Sequence, residues 1–228
     1  MKNIFCIFLI FACCRITGQT HSGMVLVPGG KLKTQSSTID VKGFYMDTCE
    51  VTVADFEKFV NSTSYKTDAE KNGTSTCYGG QSIANVTWRC NTMGKIRPAN
   101  EYDRPVIHVS YNDAMAYAKW AKKRLPTEEE WMYAASHKRG GRTKQIAWFN
   151  SLARDIHPVG KLKPNSLGIY DLFGNAYEIV NTVNEQQKLF KMKGNCFLSE
   201  DNIDIEEYAV APMSSTSHIT GFRCVKDL

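Results

Sequence analysis

The chain has 228 residues, 43% of them hydrophobic and 22% charged, with 16 Gly and 7 Pro; this composition excludes a disordered or collagen-like chain and predicts one globular domain. The formal net charge is +5, and setting aside Lys2 and Arg15 of the N-terminal segment leaves 26 basic against 23 acidic residues, a charge of +3. That is too mild for a nucleic-acid partner.

From the N-terminus, Lys2 precedes an apolar run from Ile4 to Ala12, and Ile16-Thr17-Gly18 offers small residues for cleavage before Gln19. Residues 1–19 therefore read as a signal peptide, and the expected location is exported: periplasm, cell envelope or outside the cell. Ala12-Cys13 also supplies the small residue that precedes a lipidated cysteine, although Phe11 is bulkier than such motifs favour. Plain secretion and an N-terminal lipid anchor both stay open. No other stretch has the roughly 18 to 20 apolar residues of a membrane span.

Met24 to Val27 predicts a strand running into Pro28-Gly29-Gly30, and Gly43 to Met46 a second, aromatic one. Three helix starts follow from capping chemistry, in which a Ser or Thr oxygen takes a free backbone N–H and an acid three residues on reaches back. They are Thr52 with Asp55, Ser110 with Asp113, and Thr127 with Glu130. The first helix turns Val53, Phe56 and Val60 inward. The second carries Ala114, Tyr117, Ala118 and Ala121 at helical spacing, with Lys122, Lys123 and Arg124 in its last turn where cations favour the dipole. The third buries Trp131, Ala134 and Ala135. Residues 61–104 read as a polar loop with sequons at Asn61, Asn72 and Asn85, and Val106 to Val109 as a strand leading into the second helix. Short strands around about three short helices predict an α+β, loop-rich fold.

Five cysteines lie beyond the leader: Cys49, Cys77, Cys90, Cys196 and Cys224. An odd number leaves at least one thiol unpaired. Cys77 and Cys90 enclose a Gly-rich polar loop and are the favoured disulfide in an oxidising compartment, with two unrelated thiols as the alternative.

Seven blocks occur in order: Met24-Val-Leu-Val-Pro-Gly-Gly30, Tyr45-Met-Asp-Thr-Cys-Glu-Val-Thr52, Arg104-Pro-Val-Ile-His-Val-Ser110, Lys123-Arg-Leu-Pro-Thr-Glu-Glu-Glu-Trp131, His157-Pro-Val-Gly160, Pro164-Asn-Ser-Leu-Gly-Ile-Tyr-Asp-Leu-Phe-Gly-Asn175 and Gly221-Phe-Arg-Cys224. Together they closely resemble the sulfatase-modifying-factor family, the formylglycine-generating enzymes and their relatives. The resemblance implies a domain over 24–228 with a C-type-lectin-like α+β fold. It also implies a reaction, since family enzymes oxidise a sulfatase cysteine to formylglycine with two cysteines, separated by four residues, that bind cuprous ion just beyond an Arg-Gly-Gly-Ser-aromatic block. The matching stretch here is Lys193-Gly-Asn-Cys-Phe197, and counting on from Phe197 places those positions at Ser199 and Asp204. A hydroxyl and a carboxylate are hard oxygen ligands, poorly suited to soft cuprous ion, so copper is not expected. Cys196 falls on the block's serine position and reads as a buried structural thiol.

Asp171-Leu-Phe-Gly-Asn-Ala-Tyr-Glu178 places two carboxylates around two main-chain carbonyls, oxygen ligands of the kind calcium takes. Alone the pattern is weak, since Asp, Gly and Asn make ordinary turns. The resemblance implies a structural calcium held by Asp171 and Glu178 side chains and by the Gly174 and Ala176 carbonyls. His21, His108, His137, His157 and His218 have no metal-ligand spacing, and His108 and His157 read as structural. Three functions are thus in play. The first is a noncatalytic, calcium-stabilised binding or assembly module of the cell envelope with a protein or peptide partner. The alternatives are a formylglycine-generating oxidase or another oxidoreductase of the family, and an enzyme of unassigned chemistry using Ser199, Glu200, Asp201 and Asp204.

Overall fold

The structure, a computed structural model, describes residues 23–150, 154–200 and 203–228; the leader, Cys13 and Asp201 lie outside them. Four short strands open the chain: β1 (Met24–Val27), β2 (Gly30–Lys33), β3 (Thr38–Val41) and β4 (Phe44–Asp47). Helix α1 (Val53–Thr63) and the one-and-a-half-turn α2 (Asp68–Asn72) follow, then the hairpin strands β5 (Thr74–Thr76) and β6 (Ser82–Ala84). Helices α3 (Tyr111–Trp120) and α4 (Glu128–Ser136) precede the strands β7 (Tyr177–Asn184), β8 (Leu189–Lys193), β9 (Ala209–Pro212), β10 (Thr220–Gly221) and β11 (Val225–Asp227).

Among the described residues there are two larger sheets and two hairpins. One sheet runs β1-β4-β11 and the other β10-β7-β8-β9, while β2-β3 and β5-β6 pair by themselves. Strand β11 pairs antiparallel with β4, so the C-terminus closes on the start of the domain. One apolar core joins Phe56, Trp88, Tyr117, Phe190 and Phe222. A second packs α4 against β1 to β4 and β7 through Trp131, Phe44, Met46, Phe173 and Val180. This is the α+β, loop-rich architecture that the element pattern predicts.

All three predicted N-caps form, with Thr52, Ser110 and Thr127 accepting from the backbone N–H three residues on. A fourth, Thr67 with Glu70, starts α2 by the reciprocal bonds also made at Ser110 and Thr127, inside the stretch expected to be loop. Helix α3 stops short of its predicted basic end. Ala121 is its C-cap, and Lys122 at φ 55° turns the chain out. Lys123 and Arg124 instead reach carboxylates elsewhere, at 2.6 Å from Asp47 and 2.6 Å from Glu130. Residues 106–109 are fully buried but do not form a strand. His108 at φ 59° breaks the extended run, and its N–H goes to Ser217 O.

Candidate functional site

The eight-residue stretch from Asp171 to Glu178 is largely buried and runs into the start of β7. Gly174 is required there twice over. Its φ is +75°, and a Cβ would fall on the Trp148 carbonyl group, whose strand-like pairing with Gly174 brings the two backbones together. Asn175 ties the turn to three other segments: its N–H reaches Trp148 O at 3.0 Å, its carbonyl accepts from Phe197 N at 2.9 Å, and its side-chain Oδ1 accepts from His157 N at 2.8 Å.

Glu178 is fully buried, and its carboxylate accepts Arg223 Nη2 at 2.6 Å, Arg223 Nε at 2.7 Å and Trp131 Nε1 at 2.8 Å. The Arg223 guanidinium, also fully buried, further donates to the carbonyls of Asp47, Thr48 and Tyr170. Although burial opposes its charge, Glu178 more than compensates and holds Arg223 protonated. Asp171 is 2% exposed; its Oδ2 accepts Gly160 N at 2.6 Å, while Oδ1 is buried without a hydrogen-bond partner. A third acid joins them. Glu50, 2% exposed, accepts Asn175 Nδ2 at 3.1 Å on Oε1 and has no partner on Oε2.

Three buried carboxylates thus surround one guanidinium. Burial pushes the Glu50 carboxyl well above the usual range, and the Asp171 and Glu178 charges add to it against the pull of Arg223. Asp171 is also raised, by burial first, with the Gly160 N–H and Arg223 opposing and Glu178 adding. The cluster is short of positive charge by two, and it leaves two buried oxygens without donors, each costing on the order of 1–3 kcal/mol or more. Protons could meet that deficit, and so could one divalent cation. A hard cation that takes carboxylate and carbonyl oxygens fits the donor set, which contains no soft ligand. Among the described residues, no three side chains from His, Cys, Asp and Glu converge as a metal-holding group. Glu178 enters the cluster already committed to Arg223 and Trp131, so Glu50 is the acid that sequence reasoning missed. Its signal was a single carboxylate between Cys49 and Val51, two residues before a helix cap.

The positions that match the family's thiols are built into turns. Ser199 Oγ accepts Cys196 N at 3.1 Å and lies 3.7 Å from the Cys196 thiol, and Ser199 N returns to Cys196 O at 2.9 Å. Asp204 Oδ1 accepts the N–H of Glu206 at 2.8 Å. Cys196 is 3% exposed, and burial raises its thiol. The five cysteines among the described residues are all thiols, Cys77 and Cys90 included. His108 is buried between Ser75 Oγ and the Asn91 carbonyl, and burial lowers it to about 4. His157 stacks on Trp148 with ring centroids 3.8 Å apart. Asp155 makes a two-pronged bond with Arg97. No helix among the described residues is long and apolar enough to cross a membrane.

Comparison with known proteins places these features in a family. The model of the sulfatase-modifying factor enzyme 1-like domain matches residues 14–228. The formylglycine-generating enzyme of Streptomyces coelicolor is 30% identical over 288 residues, covering 92% of this chain and 90% of that protein. Its bovine counterpart is 36% identical over 185 residues, covering 61% of this chain and 49% of the relative, so the chain spans about half the length of the mammalian enzyme. A bovine protein named inactive C-alpha-formylglycine-generating enzyme 2 is 33% identical over 218 residues, 71% of this chain and 70% of its own. In fold, the structure of PvdO from Pseudomonas aeruginosa superposes with a TM-score of 0.70 at 21% identity, over 90% of this chain and 94% of that one. With its ordered motifs, its architecture and these relatives in agreement, the chain belongs to the sulfatase-modifying-factor family of formylglycine-generating enzymes and their relatives.

Proposed function

We propose that this chain is an exported, noncatalytic member of its family, a calcium-stabilised module that binds a protein or peptide partner in the cell envelope. The observation that carries the reading is the fate of the two thiol positions. Ser199 spends its hydroxyl on the Cys196 turn and Asp204 spends a carboxylate oxygen on the backbone of Glu206. Neither provides the thiolate that cuprous ion needs, and a single buried Cys196 cannot replace a pair. A relative named formylglycine-generating enzyme and one named inactive match at similar identity, so the reading is drawn from the residues at these positions. Calcium would be held by Asp171, by the Gly174 and Ala176 carbonyls and by Glu178, with the Glu50 charge beside it. Bound there, it would tie the Asp171–Glu178 turn to the block that precedes α1, a stabilising role with no step in a reaction.

The test is an oxidation assay on a peptide carrying the Cys-x-Pro-x-Arg pattern, the family's substrate motif, with copper supplied. The expected result is no formylglycine above a no-protein control by mass spectrometry. Conversion that depends on copper and is lost in Cys196→Ala would overturn the noncatalytic reading.

A further inference from the structure

The flap of residues 73–98 is tied to the domain by Trp88, which enters the main core, and has one small apolar cluster of its own, Cys77, Val86 and Cys90. These three are 0%, 1% and 2% exposed. A Cβ added at Gly94 would lie 3.2 Å from Cys77 Sγ and 2.9 Å from a Val86 methyl, so the backbone of the flap closes directly over them. Cys224 and Cys196 belong to two other clusters, and Cys49 lies against Gly160. Among the described residues, Cys77 and Cys90 are thus the two cysteines that share a packing environment.

What the flap supports gives the pair a consequence. On one side of Cys77, Thr76 pairs with Ser217 in a parallel bridge, donates its N–H to Thr216 O at 3.2 Å and accepts His218 N at 2.9 Å. On the other side, the Tyr78 ring lies edge-on to His218 at 6.2 Å and Tyr78 N bonds Thr92 O. The His218 ring in turn faces Phe197, in the turn that holds Ser199, at 6.3 Å. Cys77 therefore sits between the two contacts by which the flap grips residues 216–218.

We propose that Cys77 and Cys90 form a disulfide that locks this flap onto the 216–218 segment, with a small-molecule disulfide such as oxidised glutathione as the oxidant. The Cys77 thiolate, having lost its proton to solvent, attacks one sulfur of the oxidant and releases a first thiolate. The Cys90 thiolate then displaces the second from the mixed disulfide. The two protein sulfurs are oxidised by two electrons in total, and one oxidant molecule is reduced to two thiols. Because both thiols are buried, the exchange proceeds when the flap opens or while the chain folds. The bond closes a short loop of otherwise weakly cored chain, the circumstance in which a cross-link chiefly restricts the unfolded ensemble.

The full chain, refolded in a glutathione redox buffer and again under reducing conditions, tests this. The oxidised protein is expected to be lighter by two hydrogen atoms, to give a linked Cys77–Cys90 peptide in a non-reducing digest, and to melt about 5 °C or more higher. The melting shift is expected to vanish in Cys90→Ala, and hydrogen exchange at the His218 amide to slow in the oxidised wild type alone. Two alkylatable thiols at 77 and 90 after oxidative refolding, or a linkage of either to another cysteine, would overturn the cross-link. A Cys77–Cys90 bond with unchanged exchange at His218 would overturn the lock.

Discussion

The Asp171–Glu178 turn and the Cys196–Asp204 segment use their polar groups in opposite ways. In the first, three acids and an arginine are buried almost completely, with two carboxylate oxygens unpartnered. Such an arrangement is strained unless something else enters it, because buried charge without a partner is expensive. In the second, Ser199 is bonded locally to Cys196 and Asp204 to Glu206. Buried carboxylate oxygens without donors remain in the first region, whereas Ser199 and Asp204 are engaged in turn hydrogen bonds in the second.

Substitutions should separate the two regions sharply. Arg223→Met is expected to cost about 3–5 kcal/mol in chemical denaturation, since it leaves the buried Glu178 carboxylate beside Glu50 and Asp171 with no cation. If it were neutral, the cluster would already be protonated and the charge argument would be wrong. Trp131→Ala should cost about as much, ~3–5 kcal/mol, and Trp131→Phe distinctly less, because Phe keeps most of the bulk and loses only the indole N–H that Glu178 accepts. Equal losses in the two variants would place the whole contribution in that hydrogen bond and none in packing. At the small end, Ser199→Ala should cost only about 0.5–1.5 kcal/mol, the worth of one turn hydrogen bond. A loss as large as that at Arg223 would show that the turn is part of a larger network and that the two regions are not as different as they look.

Much of the fold was legible because its punctuation is chemical. Thr52, Ser110 and Thr127 each announce a helix through an oxygen and an acid at fixed spacing, and the structure places a helix after each. The same signal at Thr67 was hidden by the polar composition around it, since a helix of five residues has no apolar stripe to reveal it. Residues 106–109 have the apolar run of a buried strand, but their neighbours are single bonds to Val51 and Ser217 rather than a ladder. The site was half legible. Asp171, Gly174 and Glu178 lie in one short stretch and share a turn, whereas Glu50 and Arg223 come from distant segments. Nothing in local spacing links an acid at 50 to an arginine at 223; only the closure of β11 onto β4 puts them together.

Whether the buried acids hold a hard divalent cation is tested most directly by one measurement: the melting temperature of chelator-stripped protein with and without millimolar calcium. A ligand that binds only the folded state stabilises it by about 2.7 kcal/mol when present at 100 times its dissociation constant. The expected result is a clear upward shift with calcium, a much smaller one with magnesium, which demands a tighter octahedral shell, and little or none in Asp171→Ala. An unchanged melting temperature in the wild type would show that protons alone balance Glu50 and Asp171, and that the stretch from Asp171 to Glu178 is only a turn.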